Sequence, residues 1–167
     1  AEAPGSGISG DKIHPRISNT AKRLWFIYFG LTLLETLLLN IAGMSFFDAI
    51  NHSMSNIATG GFSTKNDSLS FWNSMPQIQY IIIFFMILAG TNFLLIYLSL
   101  IGKFKKLFYN TEFIWFLGLI ASFVLITTII LNSNVDLDST NFNHPQVLGK
   151  LEASFRDALF QVVAIIT

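Results

Sequence analysis

The sequence has no cysteine, little charge and no excess of either sign. Without cysteine there can be no disulfide and no thiolate metal site, and the redox compartment stays open. Only 12% of the 167 residues are charged, against about 25% in an ordinary soluble domain. Ten basic and ten acidic residues cancel, so no positive surplus is available to hold nucleic acid. Residues 1–20 are polar and rich in glycine and proline, without the basic-then-apolar order of a signal peptide. What remains is apolar: 52% hydrophobic residues and 17 phenylalanines, with a mean hydropathy of +0.56. That composition belongs to a membrane protein.

Three stretches, 24–44, 78–101 and 113–131, reach the roughly 20 apolar residues that a bilayer crossing requires. Their apolar positions run all round the helix, as lipid or protein neighbours on every side demand. Lys12, Arg16, Lys22 and Arg23 precede the first stretch, and Lys103, Lys105 and Lys106 follow the second. Positive residues stay in the cytoplasm, so residues 45–77 face outward. The third stretch then returns outward, to a loop holding Asp136 and Asp138.

Two outer segments share one plan. Ser45-Phe46-Phe47-Asp48-Ala49-Ile50 and Ser154-Phe155-Arg156-Asp157-Ala158-Leu159 stand at a constant offset, and the register continues to Ile57 and Ile166. In each, a serine lies three residues before an aspartate, the pattern of a helix N-cap with an acid in the first turn. Ser45 with Asp48, and Ser154 with Asp157, are therefore expected to cap short helices. The first helix, 46–58, extends only about 20 Å, too little to cross and enough to dip in. Its C-terminal end presents unpaired carbonyls and the negative end of the helix dipole, a place for a cation and not an anion.

There the chain reads Thr59-Gly60-Gly61-Phe62-Ser63. Glycine permits positive φ and close backbone approach, so successive carbonyls can turn toward one axis and replace the water around a monovalent cation. Irregular backbone at membrane depth survives only against protein or a water-filled path. The expected ion ligands are the main-chain oxygens of Ala58, Thr59, Gly60 and Gly61, with Phe62 and Ser63 bracing the loop.

The stretch Asn56-Ile57-Ala58-Thr59-Gly60-Gly61-Phe62-Ser63-Thr64 resembles the second-repeat filter of the Trk/Ktr/HKT superfamily of potassium transporters, its TrkH branch above all. Asp11-Lys12-Ile13-His14-Pro15-Arg16, Thr20-Ala21-Lys22-Arg23-Leu24-Trp25, Gly43-Met44 and Gly90-Thr91-Asn92-Phe93 carry the likeness along the chain. The resemblance implies an all-α integral membrane protein with four span–pore-helix–span repeats around one K+ path. It maps the family's Thr-Xaa-Gly-Phe filter onto Thr59, Gly60, Gly61 and Phe62. It also implies K+ as the transported ion with no covalent cofactor, a homodimer in the lipid bilayer of the bacterial inner membrane, and a cytoplasmic ring of nucleotide-binding regulatory subunits. In that scheme 1–23 is a cytoplasmic segment and 24–101 a complete repeat. Residues 102–112 form a basic cytoplasmic loop, and 113–167 open the next repeat. A chain that starts in a linker and stops inside a helix reads as a piece of a longer polypeptide.

Other polar residues have plainer readings. Glu35, mid-span, reads as a hydrogen bond to a neighbouring helix before it reads as a proton or cation site. Thr91 and Asn92 read as interhelical glue. His52 stands four residues after Asp48 and within reach of it, while His14 and His144 fall in polar loops. Lys103, Lys105 and Lys106 read as a topological anchor. No nucleophile–base pair or metal-ligand spacing supports an enzyme. The competing transport class is a secondary cation transporter with broken helices and alternating access, which inverted repeats would favour. Here both copies share one orientation.

Overall fold

Helix α1 spans His14–Ile41. Pro15 sits at its second position, where a missing N–H costs nothing, and the long apolar run then carries it for about 42 Å. It ends where Gly43, at φ +106, turns left-handed. Met44 N–H donates to Leu39 O at 3.0 Å and Gly43 N–H to Asn40 O at 3.1 Å, the paired bonds of a glycine-terminated helix. Met44 and Leu39 share one buried cluster, as that ending requires.

The chain has then just enough room to restart. Ser45 takes an extended conformation and caps α2, Phe46–Ile57, by accepting from Asp48 N–H at 3.1 Å. A 3-10 turn, Ser68–Trp72, leads to α3, Pro76–Ala89, which opens on Pro76. Helix α4 is Phe93–Leu100, α5 is Thr111–Asn134 and α6 is Lys150–Ile166. Asn110 Oδ1 caps α5 by accepting Phe113 N–H at 3.1 Å. The computed structural model describes residues 14–100, 102, 105, 108–134 and 149–167. Lys12, Lys103, Lys106, Asp136, Asp138 and His144 lie outside the described residues.

Among the described residues, two helices are long and apolar enough to cross a membrane, Ala21–Ile41 and Thr111–Ser133. The expected stretch 78–101 is instead broken into α3 and α4. Gly90 N–H still reaches Met86 O at 2.9 Å, but Thr91 bends back, with its N–H on Leu88 O at 3.0 Å and its hydroxyl on Ile87 O at 2.7 Å. Asn92 O then starts α4 by accepting Leu95 N–H at 2.9 Å. A glycine, a threonine bonding four residues back and an asparagine that favours the cap position together end one helix and begin another. Thr91 therefore bonds within its own helix rather than across helices.

Helix α2 packs between α1 and α3, and α6 lies against α3 and α5. The principal core joins Leu39, Met44, Ala49, Ile78, Ile82, Met86, Ile120, Val124 and Val163. Arg23 lies over the Tyr97 ring at 5.3 Å, which fastens α4 to α1. Trp25, Phe29 and Leu33 of α1, and Phe123, Ile126 and Ile129 of α5, remain exposed, as apolar side chains that meet lipid would be.

Candidate functional site

The last turn of α2 ends as α1 does, but with a threonine in place of the glycine. Gly60 N–H donates to Ser55 O at 2.7 Å and Thr59 N–H to Asn56 O at 2.9 Å. Thr59 thus occupies the left-handed position, at φ 50, which costs an L-residue about 1–2 kcal/mol. Gly61 follows at φ 68, and Phe62 N–H turns back onto Ser55 Oγ at 2.7 Å. All peptide bonds among the described residues are trans, so each carbonyl points opposite to the N–H of the next residue. With the N–H groups of Thr59, Gly60 and Phe62 all spent on the end of α2, the carbonyls of Ala58, Thr59 and Gly61 face away from it. Gly60 is pressed between Phe62 and Ser55 O, where a Cβ would meet Phe62 Cδ2 at 3.2 Å. A Cβ on Gly61 would meet nothing within 4 Å, so there the glycine answers a conformational need and not a steric one. Phe62 is 81% exposed.

The returning strand is tied to the start of the same helix. Thr64 Oγ1 donates to Asp48 Oδ1 at 2.5 Å and Lys65 Nζ pairs with Asp48 Oδ2 at 3.2 Å, while Ser45 Oγ donates to Oδ2 at 2.8 Å. The Thr64 hydroxyl, helped by Ser45 and Lys65, outweighs burial and holds the Asp48 carboxyl below its ordinary 3.8. His52 bridges to the strand as well. Its Nδ1 lies 2.8 Å from Asp48 O and its Nε2 3.0 Å from Ser63 Oγ. A carbonyl can only accept, so Nδ1 carries the hydrogen, and in the neutral ring Nε2 accepts from Ser63. Lys65 N–H donates in turn to Ser63 Oγ at 3.2 Å. The histidine thus bonds the carbonyl of Asp48 rather than its carboxylate.

The second copy begins differently. Ser154 does not cap α6, which starts one turn earlier, after Gly149 at φ 128. Its hydroxyl donates to Lys150 O at 2.9 Å, and the residue is fully buried. The upstream sequence explains the difference. Residues 150–153 are good helix formers with no breaker among them, so the helix extends back to the glycine. Before Ser45 the chain is still leaving α1, and no such extension is possible. Asp157 consequently lies inside the helix, where burial raises its carboxyl above 3.8. Among the described residues it makes no hydrogen bond.

Both copies nevertheless face one cavity of about 390 Å³, lined by His52, Ser55, Asn56 and Thr59–Ser63 from the first, and by Phe160, Ala164 and Thr167 from the second. Positions 52, 55, 56 and 59 fall on one helical face, a polar stripe visible in the sequence through that spacing alone. Behind it, Glu35 of α1 is enclosed and its Oε1 accepts from Asn56 Nδ2 at 2.6 Å. Thr36 and Ser53 share a hydrogen bond of 2.5 Å. These polar contacts seat α2 on α1. No cluster of histidine and acidic side chains suited to a metal occurs among the described residues.

The TrkH family model, described as a cation transport protein, matches residues 4–167. The chain belongs to the TrkH family. It is 39% identical to the Trk system potassium uptake protein TrkH of Salmonella typhimurium, with 100% of this chain and 32% of that protein covered. Its identity to the Trk system potassium uptake protein TrkG of Escherichia coli K12 is 36%, covering 77% of this chain and 26% of that one. The crystal structure of the potassium transporter TrkH from Vibrio parahaemolyticus superposes with a TM-score of 0.75 at 34% identity, covering 90% of this chain and 30% of that one. The chain thus spans 32% of the length of its TrkH relative from Salmonella. Its fold is that of an all-α integral membrane protein of the TrkH family.

Proposed function

We propose that this chain is part of a potassium uptake protein, and that K+ passes dehydrated along the main-chain oxygens of Ala58, Thr59, Gly60 and Gly61. One observation carries the reading. Three N–H groups are spent inward on the end of α2, which turns the carbonyls of Ala58, Thr59 and Gly61 the other way. Carbonyl oxygens held in a ring substitute for the hydration shell of K+, and the negative end of the α2 dipole favours the cation at the same place. Phe62 and Ser63 brace the loop, with Ser63 held by His52. The relatives' names, potassium uptake proteins of the Trk system, support K+ as the cargo and do not favour alternating access.

In this reading the chain supplies the second repeat and the first half of the third in a four-repeat, multi-pass protein of the bacterial inner membrane. Residues 1–23 and 102–112 are cytoplasmic, 24–101 is a complete repeat and 113–167 opens the next. The family resemblance supplies the homodimer and the cytoplasmic nucleotide-binding ring as partners. The protein transports and does not catalyse a covalent reaction. The decisive experiment replaces Gly61 by serine in the complete protein and measures K+ against Na+ uptake in liposomes. At φ 68 a serine strains the loop and selectivity falls; unchanged selectivity would overturn the filter.

A further inference from the structure

We propose that Glu35 is a positioning residue for cation selection, acting through Asn56; the proposal rests on the filter reading above. Glu35 sits in the apolar run of α1 and is 0% exposed, at a position where a leucine would pack without polar cost. An acid enclosed in a membrane span is expensive, and this one is half-satisfied: Oε2 has no partner among the described residues. Its other oxygen accepts from Asn56 Nδ2 at 2.6 Å, and the same nitrogen donates to Ile82 O of α3 at 3.1 Å. A main-chain carbonyl can only accept, so Ile82 fixes the amide with its nitrogen toward α1 and α3.

Asn56 therefore joins α1, α2 and α3 through one side chain. Its main chain is part of the same turn that holds the loop. Asn56 O takes Thr59 N–H at 2.9 Å, and the adjacent Ser55 takes Gly60 N–H and Phe62 N–H, each at 2.7 Å. Any rotation of this turn moves the carbonyls of Ala58, Thr59 and Gly61 together. Discrimination between alkali ions depends on where those oxygens stand and how firmly they are held. Glu35 holds the turn from behind without touching the ion.

The test uses the full-length protein in liposomes, with ⁸⁶Rb+ uptake under Na+ competition and thermal melts on the same samples. Glu35→Gln keeps an oxygen that accepts from Asn56, and it should retain the parent Rb+ over Na+ ratio. Glu35→Met keeps the volume and removes the acceptor; the ratio should fall about tenfold, the scale of one lost buried hydrogen bond, with Rb+ flux retained. Glu35→Met combined with Asn56→Leu removes both polar partners, so stability should recover toward the parent while the ratio stays low. This double variant carries the test alone if Glu35→Met does not fold. A parent ratio in the folded double variant overturns the proposal, as does a loss in Glu35→Gln equal to that in Glu35→Met. Failure of the filter reading has a different signature: the parent itself would not prefer Rb+ to Na+, whatever stands at position 35.

Discussion

The Thr64 hydroxyl donates to the Asp48 carboxylate at 2.5 Å, closing the segment between them into a loop tied at both ends of α2. The tie sets an acid limit. Asp48 has a folded value below its ordinary 3.8, so its contribution to stability is complete above that pH. It is lost as pH falls from there through the lower folded value. Thermal melts of the complete protein against pH should therefore steepen below 3.8, and Asp48→Asn should flatten that limb while lowering stability at neutral pH. Asp157 has the opposite sign. Its carboxyl is raised by burial, so ionisation costs stability at neutral pH and Asp157→Asn should raise the melting temperature there. Equal shifts in both variants would contradict the assignment.

The two serines should respond unequally to alanine. Ser45 accepts a first-turn N–H, and losing such a cap costs about 1 kcal/mol. Ser154 bonds four residues back from inside α6, an arrangement that slightly weakens a helix, and a buried alanine fits its place. Ser45→Ala should lower the melting temperature of the complete protein and Ser154→Ala should leave it near the parent value. A comparable loss in both would mean that Ser154 is a cap after all.

Those serines also mark what a sequence can tell. The Ser-Xaa-Xaa-Asp pattern is the same in both places, and only the context separates them. Upstream of Ser45 a glycine ending leaves no room, whereas upstream of Ser154 four helix-forming residues extend α6 backward. Helices α1 and α5 were legible from the length of their apolar runs, and α2 from its cap and its short reach. The α3–α4 break was hidden because Gly90, Thr91 and Asn92 are three weak helix residues inside a run whose hydropathy average stays high. The ties from Asp48 to Thr64 and Lys65, and from Glu35 to Asn56, join residues distant in sequence. That Glu35 would bond a neighbouring helix was readable from an acid in an apolar run, but no local pattern names Asn56, Thr64 or Lys65 as the partners.

Thr59 should be traded for glycine at a gain in stability and a loss in function. Its left-handed φ of 50 costs about 1–2 kcal/mol in a side-chain-bearing residue, and glycine returns about 0.5–1 kcal/mol of that as extra chain entropy. Thr59→Gly should therefore stabilise the complete protein by up to about 1 kcal/mol. The freer loop should lower K+ over Na+ discrimination in liposome uptake, because strain held at a site is commonly part of its function. A variant less stable than its parent would show that threonine is not strained there.

Gly90 is the point where the broken span meets the second copy. An added Cβ would lie 2.6 Å from Thr167 Cγ2 and 3.3 Å from Phe116 Cζ, so the end of α6 rests directly on the backbone of the break. Two effects compete in Gly90→Ala. With φ −73, alanine suits the backbone and gains up to about 1 kcal/mol of helix propensity. Overpacking against Thr167 costs about 1–3 kcal/mol, and it should prevail, because Thr167 is held by its own bond to Val163 O at 2.9 Å and Phe116 closes the other side. The variant should melt lower and take up ⁸⁶Rb+ more slowly, since the displaced end of α6 lines the same cavity as Thr59–Ser63. Gly90→Ala combined with Thr167→Ser removes the Cγ2 that the new methyl would strike, and both properties should recover in part, since contacts of 3.1 Å to Cβ of residue 167 and 3.3 Å to Phe116 Cζ remain. Recovery of stability without recovery of uptake would assign Gly90 to hinge motion at the break rather than to seating α6.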